Sequence, residues 1–301
     1  MGGELFLLWI PATLAAAGAQ TARNAMQRRL TETIGTVGAT QVRFLYGFPF
    51  ALLFLILIAA LTGERPPRPD GGFTIFILLG AVMQILATGL MLAAMRERSF
   101  AVVTAILKTE PVQIALFGFL VLGDALTPTG ALAIGIATAG VIVMSFPNLS
   151  DLTRSGLRPA VYGVAAGACF ALSATGFRGA ILALDAGSFL IRATTTLAWS
   201  LGLQTAILLA WLAVLNRAAL IGSLRVWRSS LGAGFLGAFA SQFWFIGFSL
   251  TTAANVRTLA LVEVMMAQAV AHRLLAHRTT RREWAGMVLI VVGVALLLAG
   301  S

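Results

Sequence analysis

The feature that most constrains this chain is a series of apolar runs, each long enough to cross a bilayer. A spanning helix needs about 17–25 apolar residues. Ten such runs can be read, at about residues 5–22, 41–62, 73–95, 99–122, 128–146, 159–181, 187–214, 231–250, 253–275 and 284–300. Because lipid cannot satisfy free backbone groups, each run predicts a helix. The sequence therefore predicts an all-α integral membrane protein with ten transmembrane helices, called spans one to ten here.

The composition excludes a soluble protein. Only 11% of the 301 residues are charged and 59% are hydrophobic, whereas soluble domains carry about 25% charged residues. The net charge of +10 would suggest a nucleic-acid partner in a soluble protein. Here the arginines fall in short connections, where positive charge marks the cytoplasmic side of a membrane. We therefore expect no nucleic-acid partner.

The second half of the chain repeats the first. A shift of 153 residues superimposes two segments without a gap, and the most informative identities are Glu110 with Glu263, Thr127 with Thr280, and Gly140 with Gly293. A carboxylate inside a span is costly and rare, so the glutamate pair carries more weight than matches among apolar residues. The duplication predicts two five-helix repeats, residues 1–150 and 151–301.

The positions of the positive charges predict the orientation. If both termini lie outside, the cytoplasmic connections hold Arg23, Arg28, Arg29, Arg96, Arg98, Arg154, Arg158, Arg217, Arg225, Arg228, Arg273, Arg278, Arg281 and Arg282. The opposite connections hold Arg65 and Arg68, offset by Glu64 and Asp70. The excess of arginine on one side predicts a multi-pass protein of the cytoplasmic (inner) membrane with both termini outside.

Equivalent connections in the two halves have opposite character. The segment LGDALTPTG after span four has no positive charge, while AHRTTRRE after span nine is strongly basic. Five spans per half require this reversal, so the repeats are inverted in the membrane. Inverted repeats are a common way to build transporters, because the halves can rock around a site between them.

The run TEPVQIALFGFLVLGDALTPTGALAIGIATAGVIVMS resembles the EamA-like branch of the drug/metabolite transporter superfamily. The matching positions are Glu110, Pro111, Leu122, Gly123, Asp124, Gly135 and Gly140, with Asp124 where the family usually has Glu. Arg43 and Arg192 resemble the family's arginine early in spans two and seven. The second copy departs from the motif, with Val264 in place of the proline and Ala276-His277 in place of Gly-Glu.

The resemblance implies a fold and a general activity. It implies ten helices in two inverted EamA-like repeats, and movement of small solutes by alternating access. Family members often export amino acids or other metabolites, but close relatives move very different compounds. The resemblance therefore leaves the substrate open.

Span four carries the charges Lys108 and Glu110 near its middle. Each costs about 2.5–3.5 kcal/mol at a helix centre, so neither is expected to face lipid. At positions i and i+2 the two side chains point in different directions and cannot simply pair with each other. Lys108 is either an anchor for a substrate carboxylate or phosphate or part of an internal ion pair. Pro111 removes a backbone donor, which predicts a kink or hinge near Lys108.

Span nine carries Arg257 and Glu263, six residues apart. This spacing separates them by about 120° around the helix, so each needs another partner. Arg257 either faces the pathway or extends towards the membrane surface. Glu263 is either a proton carrier for coupled transport or a structural charge, with Arg192 or Arg43 as its expected partner. Glu110 carries the same two alternatives.

Further polar and aromatic side chains within spans are candidates for substrate binding: Gln84, Thr88, Ser173, Gln242, Trp244 and Asn255. Membrane helices also use such residues to hydrogen-bond to one another. A packing role is therefore the alternative at each position.

Three functions follow as hypotheses. The leading one is a secondary transporter that exports amino acids or related metabolites by alternating access, as a monomer in the bilayer. The second is exchange of organic anions such as sugar phosphates or nucleotide sugars, since Lys108, Arg43, Arg178, Arg192 and Arg257 outnumber Glu110 and Glu263. The third is a non-transporting scaffold or a membrane enzyme. Because the acids are dispersed and there is one cysteine, no metal site, cofactor or catalytic residue is expected.

Overall fold

The computed structural model describes residues 7–97, 103, 106–145, 157–265 and 280–300, which are helical with short connections and no strand. The helices are α1 (Trp9–Leu45), α2 (Phe48–Thr62), α3 (Gly71–Glu97), α4 (Glu110–Phe117), α5 (Pro128–Ser145), α6 (Leu157–Ala183), α7 (Phe189–Leu215), α8 (Arg217–Arg225), α9 (Trp227–Leu250), α10 (Ala253–Leu259) and α11 (Arg281–Ala299). A π-helical turn, Gly118–Leu122, extends α4. The all-α prediction is confirmed.

These helices correspond to the ten predicted spans. Residues Trp9–Thr62 form one apolar stretch of 54 residues, about twice the length that a bilayer requires. Gly35, with φ of 70°, divides α1 into span one and the start of span two, which α2 completes. Helices α3, α5, α6, α7, α9 and α11 are spans three, five, six, seven, eight and ten. Span four contains α4, and span nine begins with α10.

The short helix α8 lies between spans seven and eight. Its nine residues extend about 14 Å, which is too short to span. Several predicted basic positions, namely Arg98, Arg154, Arg273 and Arg278, lie outside the described residues, as do Ala276 and His277.

The outer surface of the bundle is apolar. Leu61, Ile75 and Val214 are 84%, 70% and 78% exposed. In water such side chains would be unfavourable, but next to lipid tails they are at no disadvantage. Many polar side chains within the spans are buried instead, among them Gln84, Thr88, Ser173, Gln204 and Gln242.

The glycines shared by the two repeats form a symmetric contact between α5 and α11. A Cβ added at Gly140 would lie 2.7 Å from the carbonyl oxygen of Gly286, and one added at Gly293 would lie 2.7 Å from that of Ala133. The shift of 153 residues converts 133 into 286 and 140 into 293, so the two contacts are equivalent. Only residues without side chains allow backbones this close. The packing thus obeys the two-fold relation between inverted repeats.

The prediction that span one ends near residue 22 is wrong, as is the placement of Arg23 in a connection. Helix α1 continues to Gly35, and Arg23 is buried within it at 1% exposure. The polar residues Gln20, Asn24 and Gln27 recur at intervals of four and three, so they share one face of the helix. This face turns inward, and Gln27 Nε2 donates to the carbonyl oxygen of Ala39 at 3.0 Å.

Candidate functional site

Span four is interrupted near its middle. Lys108 and Thr109 form a turn, and α4 begins at Glu110 with Pro111 in its first turn. Proline lacks the N–H that would continue the helix but fits at a helix start. The amide of Thr109 bonds instead to the carbonyl of Ile106 at 3.2 Å, a tighter i to i−3 contact. The interruption that Pro111 predicts is therefore present.

Span nine is interrupted at the equivalent place. Helix α10 ends at Leu259, and Ala260 and Leu261 form a turn. The amide of Leu261 bonds to the carbonyl of Thr258 at 3.0 Å, again an i to i−3 contact. Because Val264 stands where the first copy has Pro111, no proline marks this break. Leu261 is the equivalent of Lys108, so the two breaks face each other across the repeats.

The four charges of spans four and nine pair crosswise. Lys108 Nζ forms an ion pair with Glu263 Oε1, and Arg257 Nε lies 3.6 Å from Glu110 Oε1. Neither span pairs its own charges, in agreement with the helix spacing. Each side chain is only 9–12% exposed. Both pairs join one repeat to the other.

The partner expected for Glu263 is different from the one found. Arg43 and Arg192 were the sequence candidates, but Arg43 bonds to Thr88 and Arg192 bonds to the carbonyl oxygen of Leu184. The ion-pair partner of Glu263 is Lys108 instead. Thr21 Oγ1 also donates to Glu263 Oε2, at 3.4 Å.

Spans one, three, four, six and nine enclose a small cavity around these pairs, the central cavity. It is lined by Gln20, Thr21, Arg23, Asn24, Met91, Leu107, Lys108, Glu110, Phe170, Arg257 and Glu263. The cavity offers about 30 Å³ to the centres of water molecules, which is room for about two waters. In this conformation it is nearly closed.

Arg23 is the least compensated charge of the central cavity. Its Nε and Nη2 donate to Asn24 Oδ1, at 3.2 and 2.6 Å. Its Nη1 has no hydrogen-bond partner among the described residues. Arg23 also lies within electrostatic reach of Arg257 and Glu263. A buried guanidinium nitrogen without an acceptor is costly, so this group favours an anion in the cavity.

Arg257 is held against aromatic rings. Its guanidinium carbon lies 4.1 Å from the ring centroid of Trp244 and 5.9 Å from that of Phe248. Trp244 is itself fixed, since its indole N–H donates to Gln20 Oε1 at 3.1 Å. Cation–π contact and the carboxylate of Glu110 together orient the Arg257 side chain. Trp244 thus positions a charge of the central cavity.

A polar network adjoins the cavity around Arg43. Arg43 Nη1 donates to Thr88 Oγ1 at 2.8 Å, and Ser173 Oγ lies 2.6 Å from the Gln84 amide. With the amide oxygen of Gln84 turned towards Arg43 and its nitrogen towards Ser173, both contacts are satisfied. The structure therefore brings together three of the predicted residues, Gln84, Thr88 and Ser173, and joins them to Arg43.

The remaining predicted residues lie elsewhere. Gln242 Nε2 donates to Thr194 Oγ1 at 2.8 Å, between spans eight and seven. Asn255 Nδ2 donates to Thr251 Oγ1 at 3.1 Å. Asn255 lines a second cavity, together with Asp124 and Thr252. These side chains do not line the central cavity.

The second cavity lies at the Asp124 end, meaning the end of the bundle that carries residues 123–127 and 251–252. Arg178 of α6 connects several elements at this end. Its Nη2 lies 3.1 Å from Asp124 Oδ1, and its Nη1 donates to the carbonyl oxygens of Phe248, at 2.6 Å, and Thr251. One side chain therefore ties the turn after span four to the end of span eight, across the repeats.

The charge balance of the central region is positive. Among the described residues around the cavity and its adjoining network, Arg23, Arg43, Lys108 and Arg257 face two carboxylates, Glu110 and Glu263. Two positive charges are thus left without a counter-charge in a region of low dielectric. This charge balance favours an anion over a cation in the cavity. The described residues hold no group of three metal-ligating acids, histidines or cysteines.

Sequence reasoning missed four polar residues of the cavity, Gln20, Thr21, Arg23 and Asn24, besides the apolar Met91, Leu107 and Phe170. All four lie in the polar extension of span one. Their helical spacing was a usable signal, because polar residues at intervals of three and four describe a face and not a loop. A mean hydropathy over the stretch hides this periodicity.

Comparison with known proteins agrees with this architecture. The model of the EamA-like transporter family matches residues 7–146 and, a second time, residues 158–299. The chain belongs to the EamA-like transporter family. This EamA-like protein is therefore a multi-pass membrane protein of a transporter family, built from two inverted five-helix repeats, as predicted.

Solved structures share the fold. One crystal structure superimposes with a TM-score of 0.66 over 99% of both chains, at 14% sequence identity. At this identity the likeness establishes the fold and leaves the substrate open. No curated protein matches the sequence significantly.

Proposed function

We propose that this EamA-like protein is a secondary transporter of small metabolites that carry a carboxylate, with amino acids and related acids as the leading substrates. The uncompensated guanidinium of Arg23, buried beside Lys108 in the central cavity, carries the proposal. A substrate carboxylate would supply the acceptor that Nη1 lacks. Charge-assisted hydrogen bonds of this kind are the strong ones.

The position of the cavity supports transport by alternating access. It lies between the two repeats, at the breaks in spans four and nine, and both ion pairs cross between the repeats. Broken helices near the membrane centre are typical of transporter sites. The nearly closed cavity and the Arg178 contacts at the Asp124 end represent one conformation of such a cycle. Pro111 is proposed as the hinge in span four.

We also propose the orientation and the direction of transport. The arginine-rich connections suggest that both termini lie outside the cytoplasmic membrane and that the Asp124 end is the outer one. Export of metabolites is then movement towards the Asp124 end. A monomer is sufficient, because one chain supplies both repeats.

Exchange of larger organic anions, such as sugar phosphates or nucleotide sugars, is the second candidate. The excess of two positive charges favours it, because a phosphate ester carries up to two negative charges. The small volume of the cavity favours the smaller acids. Thermal stabilisation by phosphate esters, with none by carboxylates, would select this second function.

The test combines binding with transport. A thermal-shift screen of the detergent-purified protein against amino acids, simple carboxylates and phosphate esters identifies the class, since a ligand at 100 times its Kd stabilises the native state by about 2.7 kcal/mol. Counterflow of the selected compound in proteoliposomes then measures transport. Lys108→Ala should abolish counterflow in a protein that remains monodisperse.

The matched control is Asp185→Asn, at an exposed position between spans six and seven, which should retain counterflow. Full counterflow in Lys108→Ala would remove Lys108 from the substrate site. A screen without any stabilising anion, together with stabilisation by cationic compounds, would refute the proposed substrate class.

A further inference from the structure

We propose that Glu263 is a proton site that fills only when an organic anion occupies Lys108, so that the anion and the proton bind and cross together. The inference rests on the proposed function, because it takes Lys108 as the anchor of the substrate anion. It adds a second ligand, the proton, and names the group that holds it.

The surroundings of Glu263 are mostly cationic when the cavity is empty. Span four contributes Lys108 in direct contact and Glu110 nearby, while span one contributes Thr21 and Arg23. Arg257 lies on the same span as Glu263 and is paired with Glu110. Three cations therefore face two carboxylates, Glu263 and Glu110, each of which is in an ion pair. The electrostatic field at Glu263 is thus positive while the cavity is empty.

An arriving anion must compete with Glu263 for the same ammonium group. Glu263 Oε1 accepts a hydrogen bond from Lys108 Nζ, and the cavity has room for about two waters beside the pair. Nζ has two further N–H groups, but this space is smaller than an organic acid, so the arriving carboxylate takes the place of Oε1. Glu263 is then left with the hydroxyl of Thr21 as its hydrogen-bond donor, while the new negative charge cancels part of the positive field.

A buried carboxylate that loses its counter-ion takes up a proton instead of remaining charged. The proton comes from the bulk solution and reaches Glu263 through the water that enters with the anion, and the resulting acid O–H can donate to the anion itself. On the other side of the membrane the anion leaves Lys108, the proton leaves Glu263, and the ion pair forms again. One monovalent anion and one proton carry no net charge, and the empty carrier returns with a neutral pair.

This cycle is compatible with export. A metabolite that accumulates on one side leaves down its own gradient and takes a proton with it. The net direction follows the sum of the two gradients, so the same protein accumulates the anion when the proton gradient is steeper.

Glu110, the equivalent carboxylate of the first repeat, does not fit this role. Its partner Arg257 is fixed by Trp244 and Phe248, so an anion would have to break a stacking contact as well as an ion pair. Lys108 has a flexible stem, and among the described residues its ammonium group makes no cation–π contact of the kind that holds Arg257. The exchange therefore occurs at Lys108 and Glu263.

The first experiment measures proton uptake on binding. Glutamate, lactate and pyruvate, which are monovalent anions near neutral pH, are each added to purified wild-type protein in weakly buffered detergent solution with a pH indicator. We expect about one proton taken up per bound monovalent anion. The complex of protein and anion holds one proton more than the free protein. The affinity of the protein for the anion therefore falls as the pH rises, by up to tenfold per pH unit. Binding without proton uptake would overturn the proposal.

The second experiment compares variants. Glu263→Gln should bind the same acid at least as tightly as wild type, because Lys108 no longer has a competing carboxylate, and should take up no proton. Asp185→Asn is the control and should behave as wild type. Proton uptake that persists in Glu263→Gln, or that is lost in Glu110→Gln instead, would overturn the assignment.

The two proposals fail in different ways. If none of the three acids binds to the wild-type protein at any pH, the substrate class is wrong and the proton site is refuted with it. If an acid binds without a proton, the transport proposal stands and this one is refuted. If Glu263→Gln does not fold, the wild-type measurement still decides between these results.

Discussion

Lys108 of span four and Glu263 of span nine form an ion pair across the two repeats, at the equivalent breaks of their helices. The equivalent positions of the other repeat hold residues with different contacts: Leu261 is equivalent to Lys108, and Glu110 is equivalent to Glu263. Glu110 pairs in turn with Arg257. An approximately symmetric scaffold thus holds an asymmetric pair of contacts.

The Lys108–Glu263 pair leads to a first prediction, on stability. Lys108→Met leaves Glu263 buried without its counter-ion, which costs about 3–5 kcal/mol. The double variant Lys108→Met with Glu263→Gln removes both charges and should recover much of this loss. Thermal unfolding of the wild type, the two single variants and the double variant in detergent gives the coupling energy, expected at about 3 kcal/mol, the upper end of the range for residues in contact. Strictly additive losses would mean that the two side chains do not stabilise each other.

A second prediction concerns Arg23, which should contribute more to substrate binding than to stability. Arg23→Met removes a buried nitrogen without an acceptor, but it also removes the two bonds to Asn24 Oδ1. Because these two effects oppose each other, the stability of the substrate-free protein should change by less than about 1 kcal/mol. The same variant should lose counterflow of carboxylates. Arg29→Met, at an exposed position of the same helix, is the control and should change neither quantity. A large loss of stability in Arg23→Met would contradict the idea of an uncompensated charge.

Much of the fold follows from the sequence, for a physical reason. Lipid requires long apolar helices, so the ten spans are visible as runs of hydrophobic residues. The end of span one was misplaced because Gln20, Arg23, Asn24 and Gln27 lower the hydropathy of a helix whose polar face is buried. Average hydropathy cannot distinguish a helix that lines a polar cavity from a connection.

The site was less predictable than the fold. Helix spacing excludes a contact between Lys108 and Glu110, or between Arg257 and Glu263. It does not give the partner on another span, which depends on how the repeats face each other. The break in span nine has no proline and so left no local signal. The position of the break in span nine follows instead from the two-fold relation between the repeats, because it is equivalent to the break in span four.

The symmetric glycine contact allows a third prediction. A Cβ at Gly140 would lie 2.7 Å from the carbonyl oxygen of Gly286, and one at Gly293 would lie 2.6 Å from the amide nitrogen of Ala137. Backbone cannot move aside as a flexible side chain can, so Gly140→Ala and Gly293→Ala should each cost about 1–3 kcal/mol. Gly135→Ala is the matched control on α5, since a Cβ there meets no atom within 4 Å.

Thermal unfolding of these three variants tests the two-fold relation directly. Similar losses for Gly140→Ala and Gly293→Ala, with none for Gly135→Ala, are the expected result. A loss confined to one of the two shared glycines would mean that the repeats do not pack symmetrically at this interface.

The last prediction concerns the closure of the Asp124 end by Arg178. Arg178 bonds to Asp124 and to the carbonyl oxygens of Phe248 and Thr251, so Arg178→Gln should favour the conformation that is open at this end. Ala254, which is 8% exposed and lines the second cavity, can report the opening. With Cys169, the one native cysteine, replaced by serine, Ala254→Cys should react slowly with a water-soluble maleimide. A charge-assisted hydrogen bond contributes about 1.5–3 kcal/mol, so adding Arg178→Gln should raise the rate of the maleimide reaction roughly tenfold or more.

Arg192→Gln is the control for the effect of Arg178→Gln, because Arg192 makes a single 3.4 Å bond to the Leu184 carbonyl oxygen at the same end. Equal reaction rates in all three proteins would show that Arg178 does not hold this end closed.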